Sequence, residues 1–102
     1  MVMRIPIHSA NDLGLAIRAV RRQSRVRIDD LASTSGVSKQ FTQDVEHGKS
    51  TVQFGRVLKL LAELGIPLEL DIPEDAAHTL ATLRAGEGGA RDTTVPPSKK
   101  RP

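Results

Sequence analysis

The residues best suited to chemistry in this chain are Ser38, Lys39, Gln40, Gln43 and Asp44. They lie close together within the stretch RIDDLASTSGVSKQFTQDVEHG, Arg27 to Gly48. Their chemistry is recognition. A primary amide offers a donor and an acceptor side by side, so Gln40 and Gln43 can each meet one base edge, adenine N6/N7 being the natural partner. Ser38 is a good N-cap, and the open amides and dipole of a helix starting there favour a phosphate, with Lys39 beside it. Lys49 and Thr51, in the loop after that helix, are candidate contacts to a nucleic-acid backbone.

Two helices around a tight turn must position these side chains. Ile28, Leu31 and Ala32 have the i, i+3, i+4 spacing of one helical face, predicting a helix over Ile28 to Ser35. Ala32 is small enough for a second helix to cross closely. Gly36 stands where a left-handed residue ends the helix, and Val37 plugs the corner. The second helix runs from Lys39 to about His47, with Phe41 and Val45 facing inward. Lys39, Gln40, Gln43 and Asp44 are left outside. A helix-turn-helix of this kind places its second helix in the major groove of DNA.

This stretch resembles the helix-turn-helix of the phage-repressor (XRE-type) family at Leu31, Ala32, Gly36, Val37, Ser38, Val45, Glu46, Gly48 and Lys49. It departs at Ser35 and Thr42, where that family usually carries aliphatic residues, and at His47, where asparagine is frequent. Phe41 is the neighbour able to supply apolar volume missing at Thr42. The resemblance implies base contacts from Lys39, Gln40, Gln43 and Asp44, and Thr42 packed inward. It also implies that the end of the first helix approaches the DNA backbone, making Arg22, Arg25 and Arg27 candidate phosphate contacts.

The flanks complete the architecture. Residues 1–8 alternate Met3, Ile5 and Ile7, an edge-strand pattern limited by Pro6. Ser9 and Asp12 resemble a capping box, so a helix should start near Ala10, with Leu13, Ala16, Ile17 and Val20 inward and Arg18, Arg21, Arg22 and Arg25 on the other side. After the helix-turn-helix, Ser50 and Gln53 suggest a second capping box. The following helix, about Thr51 to Leu64, carries Phe54, Val57, Leu58, Leu61 and Leu64 at helical spacing and should form the core. Gly65 and Pro67 end it. Ile66, Leu68, Leu70 and Ile72 then alternate with Pro67, Glu69 and Asp71 as a half-buried strand, 66–72. Such a strand needs a partner, and pairing with a second copy satisfies both its backbone and its apolar face, predicting a symmetric dimer. A short helix follows within 73–85, with Ala77, Leu80, Ala81 and Leu83 apolar. From Gly86 to residue 102 the chain is too polar to fold and reads as a flexible tail ending in Lys99, Lys100 and Arg101. The expected fold class is mainly α: four to five helices, with terminal strands forming an intersubunit sheet.

Composition narrows the function. The 102 residues suffice for one small domain, with 9–65 as its DNA-binding part. Without cysteine there is no disulfide or thiolate metal site, which suits a cytoplasmic protein. No apolar run approaches the roughly 20 residues of a membrane span. With no Tyr or Trp and two Phe, base stacking on aromatic platforms has no support. Through Gly65 there are ten Lys/Arg against six Asp/Glu, and beyond it five against six, so the basic part is the folded part. His8, His47 and His78 lack ligand spacing, and Asp29 and Asp30 open a helix, where they suit its dipole. Neither an enzyme, a metal nor a cofactor is expected.

With the flanks in place, about residues 5–72 resemble HipB-type antitoxins. Phe41, the run Gly48-Lys49-Ser50-Thr51-Val52 and the final LGIPLEL stretch carry the likeness. The resemblance implies a dimeric repressor that binds operator palindromes before its own operon and holds a HipA-like serine/threonine kinase toxin inactive. Two other readings fit the residues: a stand-alone XRE-family or prophage regulator without a toxin, and a protein-interaction module whose working surface is the dimer sheet or the tail.

Overall fold

The computed structural model describes residues 1–86. Helix α1, Ala10–Gln23, starts at Ser9, whose hydroxyl accepts from the Asp12 N–H at 3.1 Å. The Asp12 carboxylate accepts in return from the His8 N–H at 2.9 Å, one residue earlier than the usual box. Helices α2, Ile28–Ser35, and α3, Lys39–Glu46, fall where the apolar spacing and caps place them. The Ser38 hydroxyl caps α3 by accepting from the Phe41 N–H at 3.0 Å. Helix α4, Phe54–Glu63, starts later than Thr51, because the expected Ser50–Gln53 box does not form and Gln53 is the N-cap without a side-chain bond.

These first four helices end alike. The chain doubles back so that Val26, Val37, Lys49 and Ile66 donate to the carbonyls of Arg21, Ala32, Asp44 and Leu61. The residue before each donor is left-handed: Arg25 at φ 60, and Gly36, Gly48 and Gly65 at φ 74, 84 and 72. Glycine adopts this conformation freely, whereas a residue with a Cβ gives up about 1–2 kcal/mol. Ile66 is half-buried against the core and closes the α4 cap. That gives it a role inside the unit, at the point where a strand was expected to begin.

The buried cluster joins Ile17 of α1, Leu31 of α2, Val45 of α3, and Val57, Leu60 and Leu61 of α4. Leu13, Val37, Phe41 and Leu64 pack against it from the side. Helix α4 is turned relative to expectation. Leu60 is fully buried, while Phe54 and Leu58 are exposed. Two apolar stripes were available on this helix, and the one through Val57, Leu60, Leu61 and Leu64 faces the other helices. At its closest approach to α3, α1 presents a glycine: a Cβ on Gly14 would stand 2.3 Å from the Val45 carbonyl oxygen.

Contacts divide the chain into a unit Met1–Leu68, which holds α1–α4, and a second that begins at Glu69 and holds α5, Ala76–Gly86. Helix α5 starts at Ala76, later than the Glu74 that its apolar pattern suggested, and none of its residues is buried. Among the described residues there is no strand. Residues 1–8 and 66–72 find no ladder among the described residues, and Leu68, Leu70 and Ile72 are exposed. An alternating pattern defines which side chains share a face, but the ladder itself needs a second backbone. The tail was expected from Gly86, but Gly86 is the last residue of α5; the rest of the expected tail, 87–102, lies outside the described residues.

Candidate nucleic-acid interface

The inner side of α3 is held by charge. Glu46, at its last turn, is 2% exposed. Arg21 grips its carboxylate with two bonds, Nε to Oε2 at 2.6 Å and Nη2 to Oε1 at 3.0 Å, and also donates from Nη1 to the Val26 carbonyl at 3.0 Å. Arg18 donates to the Glu46 carbonyl at 3.0 Å and lies 3.9 Å from its carboxylate. The hydrogen bond to Glu46 raises the Arg21 pKa, burial opposes the rise, and the carboxylate's charge adds to it. The guanidinium is therefore charged at any ordinary pH. This corrects the placement of Arg18 and Arg21 on the side opposite the inward stripe: α1 turns both toward α3, and of the four arginines only Arg22 and Arg25 are left exposed. Thr42 is fully buried as expected, its hydroxyl donating to the Ser38 carbonyl at 3.0 Å. Buried Ser35 is less well served, since its hydroxyl has no partner.

The outer side is organised by two carboxylates. Asp29 of α2 holds Lys39 at 3.1 Å and Arg27 at 3.7 Å. Asp44 accepts from the Gln40 amide at 2.9 Å through Oδ1 and faces the Lys49 ammonium at 3.6 Å through Oδ2. The expected contact residues thus fall into two groups, Arg27 and Lys39 around Asp29, and Gln40 and Lys49 around Asp44. Ser38 adjoins them as the α3 cap, with its hydroxyl proton still free to donate. Gln43 is half-buried on the same helix, and its backbone carbonyl bonds His47 Nδ1 at 2.8 Å. Because a carbonyl only accepts, that nitrogen carries the proton. Arg22, Arg25 and Thr51 are exposed, and no bond ties their side chains to this surface. Exposed ion pairs of this kind contribute about 0–1 kcal/mol each, so they exchange readily for a polyanion.

The sequence is 39% identical over 67 residues to the uncharacterized HTH-type transcriptional regulator y4mF of Sinorhizobium fredii, spanning 66% of this chain and 88% of that protein. The chain belongs to the HTH-type transcriptional regulators. No family model matches it. Among solved structures, a HipB–O4 20mer complex and a HipA–HipB–O2–O3 complex share the fold. Each has a TM-score of 0.64 at 21% identity, covering 70% of this chain and 100% of the other. The helical part of the fold expected from the HipB-type resemblance, with its helix-turn-helix, is therefore found.

For an HTH-type regulator, two positioning features escaped the sequence reading. Gly14 was signalled only by a glycine at the centre of a helical stretch. The Arg18–Arg21–Glu46 cluster had a fainter signal, a charged residue on the inward side of α3 beside Val45. No described helix is long and apolar enough to cross a membrane.

Proposed function

We propose that this chain is a sequence-specific DNA-binding repressor that inserts α3 into the major groove. The observation that carries this reading is the exposed front of α3, where Lys39 and Gln40 follow a capped N-terminus whose first amides are open, on a helix fixed from behind. Gln40 and Gln43 read bases. Ser38, Lys39 and the helix amides meet a phosphate, and Lys49, Thr51, Arg22, Arg25 and Arg27 follow the backbone. Residues 9–65 form the DNA-binding part. Residues 66–72 pair with a second copy through Leu68, Leu70 and Ile72, whose exposure of 49%, 82% and 45% leaves an apolar row for the partner to cover. Two copies would present two recognition helices to a palindrome, half-sites about 34 Å apart.

The shared fold with HipB in its HipA complex supports a finer reading, an antitoxin that represses its own operon and neutralises a HipA-like serine/threonine kinase. The second reading is a stand-alone regulator without a toxin, which shares with y4mF the class of HTH-type transcriptional regulator. Titration against the DNA upstream of its own gene and a scrambled duplex, over a salt series, tests the repressor. Selective binding is expected, with log K falling by about 0.9 per phosphate contact for each tenfold rise in salt. Equal, weak binding to both duplexes refutes it. Light scattering at micromolar concentration should give a dimer, and a monomer refutes the strand pairing. Co-purification of a neighbouring kinase separates antitoxin from stand-alone regulator.

A further inference from the structure

We propose that Asp44 is a positioning residue for base recognition, fixing Gln40 with its carbonyl oxygen toward the groove and so committing it to a base that offers a donor. The inference rests on the DNA reading above and adds which base Gln40 selects.

The geometry is specific to each oxygen. Asp44 Oδ1 takes the Gln40 Nε2 proton at 2.9 Å, and Oδ2 is turned to the Lys49 ammonium at 3.6 Å. Asp44 is itself more enclosed than the lysine that holds it, with side-chain exposures of 27% and 57%. An ionised carboxylate only accepts, so rotating the Gln40 amide by half a turn would set oxygen against oxygen. One orientation survives. Its outward oxygen suits adenine N6 or cytosine N4 and is repelled by guanine O6 or thymine O4. The second amide proton of Gln40 lies beside that oxygen and can reach adenine N7, so adenine is preferred. The same negative charge sits near incoming phosphates and weakens binding to every sequence. Asp44 thus trades general affinity for discrimination at one base pair.

The test is selection from randomised duplexes by wild type, Asp44→Asn, Gln40→Ala and the double variant, with affinities measured for the selected sites. The asparagine amide keeps the shape of the carboxylate but offers both a donor and an acceptor, so Gln40 can flip. Asp44→Asn should lower the preference for adenine at one base pair by about fivefold, raise affinity for scrambled DNA and leave the thermal midpoint in place. In the Gln40→Ala background the same change should no longer alter base preference. If wild type selects no sequence, the DNA reading itself fails, and this proposal with it. If wild type selects a site and Asp44→Asn keeps the same preference, or alters it equally without Gln40, only the positioning role is overturned.

Discussion

The two sides of α3 use the same kinds of residue in opposite ways. On the inner side, Glu46 and Arg21 form a carboxylate–guanidinium pair with exposures of 3% and 12%, tied by two hydrogen bonds. On the outer side, Asp29 and Lys39 form another pair, 48% and 55% exposed. Buried, the first is expensive to break, because either partner alone is a charge without solvent. Screened by water, the second contributes little to stability and is free to rearrange. The lesson is a division of labour within one helix of eight residues: the inner side sets where the helix lies, and the outer side sets what it can meet.

Substitutions on the two sides should therefore separate stability from recognition. The largest effect is expected from Gly14→Ala. The new Cβ meets the Val45 and Glu46 carbonyl oxygens at 2.3 and 2.8 Å, backbone atoms that cannot rotate away. A loss above about 5 kcal/mol, comparable with the whole stability of a small domain, should remove the cooperative melting transition seen by circular dichroism. Glu46→Ala comes next. It strands Arg21 and should cost about 3–5 kcal/mol in denaturant unfolding, with DNA binding lost only as the folded fraction falls.

On the outer side, Gln43→Ala should cost about 1–3 kcal/mol at the cognate site and relax its specificity, while the melting temperature stays within a degree or so. Unchanged selectivity would show that α3 lies differently in the groove. The smallest effect sharpens the contrast most. Arg25→Gly relieves a left-handed arginine and should stabilise the fold by about 0.5–1 kcal/mol, yet lower affinity for all sequences and flatten the salt dependence by one phosphate contact. A stabilised variant with unaltered DNA affinity would remove Arg25 from the interface.

Much of this was legible in local chemistry. Gly36 and Ser38 define the turn and the start of α3, because a left-handed glycine and an N-cap hydroxyl each satisfy backbone groups within a few residues. Ile17, Leu31 and Val45 were recognisable as core by spacing. Val57 and Leu61 of α4 and its C-cap Leu64 were too, but the edge of that face was not, since Phe54 and Leu58 fit a helical stripe as well as Leu60 does, and only the neighbouring helices choose between them. The row Leu68, Leu70 and Ile72 has a strand's alternation without a ladder among the described residues, so its pairing belongs to the proposed dimer.

The sequence by itself determined the helix boundaries of the helix-turn-helix, its caps and the amide-bearing front of α3, all of which depend on contacts within about one helical turn. Only the tertiary structure decided that Arg18 and Arg21 turn inward to Glu46, that Gly14 is the crossing point of α1 and α3, and that Asp44 and Asp29 hold the outward cations. Each of these joins groups from different parts of the fold or selects one orientation among several, and pattern along a chain carries no distance across it.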